Sequence, residues 1–196
     1  MHTIRTVVLA MTIGVASMEA GAAPVQEFTH IRALSPEARA LVEDSLQRSP
    51  TVLALADALE QTDVVVLVSL SMEPNRTDHG AHLCFVSGGG VLRFVSIWIN
   101  LWKTIPTVRI ALLAHELHHA LEVAAAPEVQ DSASLARLYR RIGFEGPGGG
   151  FESDGARRVE KQVLAELRAG GTRPTGVTRP QESARRPTRP GGSGRP

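Results

Sequence analysis

Side chains that can hold and use a metal ion stand together in His115-Glu116-Leu117-His118-His119, an HExxH pattern. On a helix, residues four apart lie one above the other, so His115 and His119 can present imidazole nitrogens to one ion. Glu116 is rotated by about 100° from His115 and can reach a metal-bound water. Zinc lowers the pKa of such a water towards about 7, so that a carboxylate can accept its proton. The pattern therefore predicts a zinc hydrolase site in which Glu116 is the general base.

The helix that would carry these histidines has two apolar faces. One face is the stripe Ile110, Leu113, Leu117, Leu121 and Ala124. His115 and His119 lie on the opposite side, where a surface helix would be polar but this one carries Val108, Ala111 and Leu112. Buried histidines need partners. One metal ion would serve both, and the alternative is a pair of hydrogen-bonded core histidines.

Two segments resemble a known superfamily. Leu-Ala-His-Glu-Leu-His-His-Ala-Leu-Glu at 113–122 resembles the active-site helix of zincin metallopeptidases. Phe-Glu-Ser-Asp-Gly-Ala at 151–156 resembles the second ligand helix of gluzincins, where a Glu is followed four residues later by a small or acidic residue. The resemblance covers roughly residues 64–168. It implies a zincin-like fold, zinc as the cofactor and a peptide or protein substrate.

A third protein ligand is needed, because a catalytic zinc normally has three such ligands and one water. No histidine follows His119, so this ligand must be a carboxylate, with Glu152, Asp154 and Glu160 as candidates. In a helix over 152–168, Glu152 and Glu160 border the apolar face and Asp154 lies opposite. Glu152 has the small Ala156 one turn later, which allows close helix packing, and is the predicted ligand. Glu160 is the next candidate, and a solvated surface acid is the alternative for each.

Three further residues near the motif have predicted roles. In gluzincins a Tyr or His usually stabilises the oxyanion, and Tyr139, the only tyrosine, lies between the two ligand helices. It is the predicted second catalytic residue, with packing as the alternative. Glu122 lies one turn past His119 on the ligand face and is expected to orient a histidine, with direct binding of the metal as the alternative. His118 lies off that face and is expected to be a bystander or a partner of a ligand. By analogy with zincins, the strand before the active-site helix, residues 91–100, would pair with extended substrate.

Local signals predict the elements that position these residues. Ser35-Pro36-Glu37 has the form of a helix start, with a cap, a proline and an acid in the first turn. Hydrophobic patterns and turn residues give helices over 36–48, 50–60, 106–126, 131–142 and 152–168, and strands over 63–71, 80–87 and 91–100. This order predicts an α+β fold in which a small, mostly antiparallel sheet is followed by the active-site helix and C-terminal helices.

The two ends of the chain differ from its middle. Residues 1–22 have a basic start, an apolar run over 7–16 and the small residues Ala20-Gly21-Ala22, as in a secretory signal peptide. The apolar run is too short for a transmembrane helix of about 20 residues, so no stable membrane span is expected after cleavage. Residues 23–168 form the predicted domain. Residues 169–196 are rich in Gly, Pro, Ser, Thr and Arg and are predicted to be a disordered, basic tail.

The composition excludes some classes of function. The formal net charge of +1 gives no indication of nucleic-acid binding. Cys84 is the only cysteine, so an intramolecular disulfide is excluded. The sequence therefore predicts an exported zinc metallopeptidase, either periplasmic or secreted. The short chain also allows a zincin-like binding or regulatory protein that holds zinc without cutting peptides, or a metal-free protein whose histidines are merely packed.

Overall fold

The computed structural model describes residues 28–72, 80–88, 90–102, 104–146 and 150–171. Within these ranges the helices are α1 Pro36–Arg48, α2 Pro50–Leu59, α3 Pro106–Ala124, α4 Ser132–Ile142 and α5 Asp154–Gly171. The strands are β1 Ile31–Ala33, β2 Val64–Ser71, β3 Ala81–Ser87, β4 Arg93–Asn100, β5 Phe144–Glu145 and β6 Phe151–Glu152. The predicted α+β class is confirmed, and each predicted element is present within three residues of its predicted ends.

Helix α5 shifts one predicted domain boundary. It continues to Gly171, so the first three residues of the predicted tail, 169–171, are helical. The rest of that tail and the predicted signal peptide, 1–22, lie outside the described residues.

Side-chain caps fix where the helices begin. The Ser35 hydroxyl accepts from the Ala38 amide at the start of α1 (3.2 Å), and Ser49 does the same for Val52 at the start of α2. Asp131 and Ser134 form a reciprocal capping box at α4. Each cap satisfies amides that a helix start leaves without partners, so these boundaries were readable from the sequence.

The prediction of a mostly antiparallel sheet is wrong. The strand order is β1-β2-β4-β3, in which β1 with β2 and β2 with β4 are parallel and only β3 with β4 is antiparallel. The chain passes from β2 to the outer position of β3 and returns through β4 between them. Because β4 is bonded on both sides, it cannot be the strand that pairs with substrate. The edge strand on this side is β3.

Helix α3 lies at the centre of the molecule, packed on the sheet and against α2 and α5. Ten of its residues are buried, on both of the faces that the sequence predicted: Ile110, Ala111, Leu113, Ala114, His115, Glu116, Leu117, His119, Ala120 and Val123. Helix α5 is tied to α2 by Glu166, whose carboxylate accepts from the hydroxyls of Ser49 and Thr51, each at 2.5 Å. In the described ranges, no helix combines the length and apolar character needed to cross a membrane.

Candidate metal centre

His115, Glu116 and His119 are buried in the middle of the molecule, with 5%, 4% and 4% of their surface exposed. The Nε2 atoms of the two histidines face each other at 3.1 Å, and the ring centroids lie 4.8 Å apart in an edge-to-face arrangement. The predicted helical spacing thus brings one nitrogen of each imidazole to the same point.

The other nitrogen of each histidine meets a carboxylate. His115 Nδ1 lies 3.2 Å from Glu160 Oε2, and His119 Nδ1 lies 2.7 Å from Glu122 Oε2. The first acid comes from α5, and the second from one turn further along α3. A hydrogen bond of this kind decides which imidazole nitrogen carries the proton.

These contacts test whether the site suits a metal ion. An ionised carboxylate only accepts hydrogen bonds, so each Nδ1 carries a proton and the two Nε2 atoms are left to face each other. Two lone pairs 3.1 Å apart repel unless a proton or a metal cation lies between them. Neutral imidazoles with Nδ1 bound to a carboxylate are the ligands that zinc takes in proteins, and the pair fits such an ion.

The third ligand was predicted to be Glu152, and the structure brings it to the same nitrogen. Its Oε2 lies 3.6 Å from His115 Nε2 and also 3.2 Å from Arg157 Nε. Glu160 instead holds the far nitrogen of His115, and Asp154 is exposed at the first position of α5. Of the three candidates, only Glu152 approaches the face where the imidazoles converge.

The prediction that Glu152 begins the last helix is wrong. Glu152 belongs to strand β6, and α5 begins two residues later at Asp154. The reason is Ser153, whose hydroxyl accepts from the Ala156 amide (3.1 Å) as a helix cap does. In this respect the chain departs from the gluzincin pattern, in which the ligand is carried by the helix itself.

No three His, Cys, Asp or Glu side chains of the described ranges are gathered closely enough to hold an ion as they stand. The shortfall lies at Glu152, whose carboxylate is held between His115 and the Arg157 guanidinium. Arg157 is itself held over the Phe144 ring, 4.4 Å from its centroid.

Glu116 lines a cavity of about 260 Å³ beside the two histidines. The cavity is bounded by Ala81, His82, Leu83, His115, Glu116, His119, Ser132, Leu135, Ala136, Tyr139, Gly150, Phe151 and Glu152. Burial raises the pKa of Glu116, although the nearby His119 and His115 lower it in part. A buried carboxyl with a raised pKa is better suited to exchange a proton near neutral pH than an exposed one.

Tyr139, the predicted oxyanion stabiliser, lines the cavity with its ring but directs its hydroxyl elsewhere. The hydroxyl donates to the backbone carbonyl of His119 (3.3 Å), and the ring meets the His119 ring edge-to-face at 5.1 Å. Burial, followed by the charges of Glu122 and Glu116, raises the pKa of Tyr139 well above its usual value. The hydroxyl therefore stays protonated while it holds His119 in place.

Sequence reasoning missed several residues of this site. Strand β3 contributes three consecutive residues, 81–83, to the cavity wall, because β3 is an edge strand next to α3. Arg157 stands in a charged stretch of α5 with Arg158 and Lys161, and no signal in the sequence marks it as the partner of Glu152. Comparisons of the chain with protein-family models, with curated proteins and with solved structures find no match.

Proposed function

We propose that this protein is a zinc-dependent hydrolase of peptide bonds, exported by its N-terminal segment. The observation that carries the proposal is the pair of imidazole Nε2 atoms 3.1 Å apart, each ring fixed through Nδ1 by a carboxylate. A buried glutamate, Glu116, stands beside this pair in the same cavity.

His115, His119 and Glu152 are the proposed zinc ligands. When bound, zinc supplies Lewis acidity and makes a nearby water more acidic. Glu152 must leave the Arg157 side of its present position to contribute.

Glu116 is the proposed general base. Its carboxylate accepts a proton from water at the site and delivers it to the leaving amine. Burial raises the pKa of Glu116, which makes its carboxylate a stronger base towards water. Substrate would lie along β3, because a sheet edge next to the cavity can accept an extended peptide as an added strand.

The test is a comparison of the purified protein with its Glu116→Gln variant. Zinc content is measured by elemental analysis, and cleavage of a mixed peptide library is followed by mass spectrometry. We expect one zinc per chain in both proteins and a loss of about 10²- to 10⁴-fold in cleavage rate for the variant. Glu128→Gln is the matched control, since Glu128 is an exposed acid paired with Arg141.

Two results would contradict the proposal. If the purified protein contains no zinc and cannot be reloaded with it, the metal has no place in the mechanism. The two histidines would then share a proton. Equal cleavage by wild type and Glu116→Gln would remove Glu116 from the mechanism.

A second candidate is a zincin-like binding protein without peptidase activity. The size of the cavity favours it, because about 260 Å³ is below the roughly 300–1,000 Å³ of typical ligand pockets. The engagement of the Tyr139 hydroxyl with the His119 carbonyl favours it as well. Such a protein would hold zinc and show no cleavage that depends on Glu116.

A further inference from the structure

We propose that the free edge of strand β1, together with helix α1, binds an extended segment of a partner protein in which apolar and acidic residues alternate. The strand order β1-β2-β4-β3 puts this edge on the opposite side of the sheet from β3. The residues around it are all different from those that line the cavity of the candidate metal centre. The proposal therefore does not depend on the metal or on peptide hydrolysis.

The first observation is a row of backbone groups on β1 that have no partner. In a parallel pair, alternate residues of a strand are bonded to its neighbour. The Leu34 amide donates to the Val68 carbonyl (2.9 Å), and the His30 carbonyl accepts from an amide of β2 (2.7 Å). The N–H and C=O groups of Ile31 and Ala33 consequently point away from β2, and no hydrogen bond from the described residues reaches them.

These backbone groups need hydrogen-bond partners. Ile31 is only 7% exposed and Ala33 is half-buried, and a backbone N–H or C=O that is shielded from water costs free energy when it has no partner. A row of such groups at the edge of a sheet is a template on which an extended segment can add as a further strand.

The chain just before this edge is fixed in place. The carboxylate of Glu60, which follows α2, accepts from the Thr29 hydroxyl (2.8 Å) and from the His30 amide (2.6 Å). The Nδ1 atom of His30 also lies 3.1 Å from the Val64 carbonyl. A segment that binds here therefore meets a strand that is already positioned, which lowers the entropic cost of binding.

A groove of about 700 Å³ lies beside the edge, between β1 and one face of α1. Its apolar lining includes Phe28, Val42, Leu46 and Leu53, and its volume is within the roughly 300–1,000 Å³ of typical ligand pockets. Residues opposite each other in a sheet direct their side chains to the same face. Residues of the added strand that lie opposite Ile31 would therefore face this groove and should be apolar.

The intervening position on β1 is basic. Arg32 alternates with Ile31 and Ala33, so its side chain points to the other face of the sheet, where its guanidinium lies 5.9 Å from the centre of the Phe94 ring. No carboxylate among the described residues forms an ion pair with Arg32 or with Arg39, an exposed arginine that also lines the groove. The residue of the added strand next to Arg32 should therefore be acidic.

Charge disfavours two other occupants. If a second copy of the chain paired its β1 with this one, the two Arg32 side chains would come together, because β1 has three residues and Arg32 is the middle one. Like charges opposite each other in a sheet are destabilising. Residues 172–196 of the chain contain six arginines, one glutamate and five prolines, so they repel the groove and lack amides that an added strand must donate.

The experiment measures the binding of a synthetic peptide, Val-Glu-Val-Glu-Val, to the full chain by fluorescence anisotropy of an N-terminal fluorescein. The control peptide is Val-Lys-Val-Lys-Val. We expect saturable binding of the acidic peptide and binding at least about tenfold weaker for the lysine peptide. Arg32→Gln and Arg39→Gln should each weaken binding by about two- to fivefold, as expected for exposed ion pairs. Arg48→Gln is the matched control and should bind like wild type, because Arg48 lies outside the groove and pairs with Asp44.

A second pair of variants tests the backbone contact. Ala33→Pro removes one amide of the free edge and leaves the bonds to β2 in place, a position where proline is tolerated in a strand. It should weaken peptide binding by more than about tenfold, whereas Ala33→Ser, which keeps the amide, should bind like wild type. In amide hydrogen exchange, the Ala33 amide should exchange fast in the free protein and slowly with the peptide. The Leu34 amide, which is bonded to Val68, should be slow in both.

Several results would overturn the proposal. One is the absence of binding to the folded wild type, and another is equal binding of the acidic and lysine peptides. Slow exchange at Ala33 in a free, monomeric protein would mean that another segment of the chain occupies the edge, and a dimer that Ala33→Pro dissociates would mean that a second copy does. If Ala33→Pro does not fold, an unchanged affinity in Arg32→Gln overturns the proposal instead.

Discussion

Two buried polar centres adjoin each other at the end of helix α3, and they differ in how completely their hydrogen-bonding groups are paired. One is the guanidinium of Arg93, which is 1% exposed and binds the carbonyls where α3 ends. The other is the histidine pair one turn earlier. Glu122, which serves the histidine centre, is followed directly by Val123, whose carbonyl serves Arg93. Two consecutive residues of α3 therefore contribute groups to two different kinds of site.

The Arg93 centre is closed. Its Nε and Nη2 donate to the two oxygens of Asp63, each at 2.7 Å. Its Nη1 donates to the carbonyls of Val123 (2.9 Å), Ala126 (2.8 Å) and Val129 (3.2 Å). A helix end leaves its last carbonyls without partners, and this one side chain supplies them. Because Nη2 also donates to the Ala124 carbonyl (3.3 Å), every N–H of the guanidinium has an acceptor within the protein.

The histidine centre is open. Its outer nitrogens are satisfied by Glu160 and Glu122, but its inner nitrogens lie 3.1 Å apart and can be paired only through a shared proton or a metal ion. The contrast shows how buried polar groups that stabilise the fold can be distinguished from those that form a candidate functional site. A set in which every donor has an acceptor serves the fold, whereas two ring nitrogens that converge on one point need a shared proton or a metal ion between them.

The largest expected effect belongs to the closed centre. Arg93→Met should lower the free energy of unfolding by about 3–5 kcal/mol, because it removes several charge-assisted hydrogen bonds at once, to Asp63 and to the carbonyls around the end of α3. Urea unfolding of the zinc-free protein measures this loss. The folded fraction should still take up one zinc per chain. A loss below about 1 kcal/mol would place Arg93 among ordinary surface charges.

The next effect belongs to the open centre. Glu152→Ala should weaken zinc binding by more than about 100-fold, beyond the cost of losing an outer partner, while the zinc-free protein keeps its stability. Chelator competition gives the affinity. Glu160→Gln is the comparison variant and should lose only about 10- to 100-fold. The reverse order would make Glu160 the ligand and Glu152 the partner of Arg157.

These two centres also show what the sequence could and could not reveal. The HExxH spacing and two apolar faces of α3 are local properties, so both predicted histidines are found with Nε2 atoms converging. The parallel pairing of β2 with β4 joins segments about thirty residues apart, and nothing local distinguishes it from a simple antiparallel succession. Arg93 does stand in the buried row of β4 with Val95, Ile97 and Ile99, which is a readable signal of a buried charge. Its partners could only come from the fold.

Glu152 illustrates the same limit within a few residues. Its approach to His115 was predicted, yet its place on a strand was not. The serine three residues before Ala156 is a readable helix cap and would have started α5 two residues later. The contact with Arg157 depends on how the short β5–β6 ladder lies against α5, which no sequence pattern specifies.

A smaller effect should separate packing from catalysis at Tyr139. Tyr139→Phe removes the hydroxyl that donates to the His119 carbonyl and should cost about 1 kcal/mol of stability. If the hydroxyl only positions His119, the cleavage rate at saturating peptide should fall less than about tenfold, compared with the 10²- to 10³-fold typical for an oxyanion donor. A fall in the larger range would return Tyr139 to the catalytic role that the sequence predicted.

The smallest effect is the pH dependence of the closed centre. The hydrogen bonds from Arg93 lower the pKa of Asp63, against a weaker opposing effect of burial. Because the folded-state pKa is below the unfolded value of about 3.9, the stabilisation is fully present above that value. It is lost as the pH falls through the folded-state pKa. Asp63→Asn should therefore differ from wild type in unfolding free energy at pH 6, and the difference should narrow towards pH 3.

Asp44→Asn is the matched control for that pH series, since Asp44 forms an exposed pair with Arg48 and such pairs contribute little. Its difference from wild type should be small at both pH values. If the difference in unfolding free energy between wild type and Asp63→Asn stayed constant from pH 6 to pH 3, the charge of Asp63 would not contribute to the stability of the Arg93 centre. Arg93 would then stabilise the fold only through its hydrogen bonds to the carbonyls at the end of α3. The opposite charges of Arg93 and Asp63 would add nothing to the free energy of unfolding.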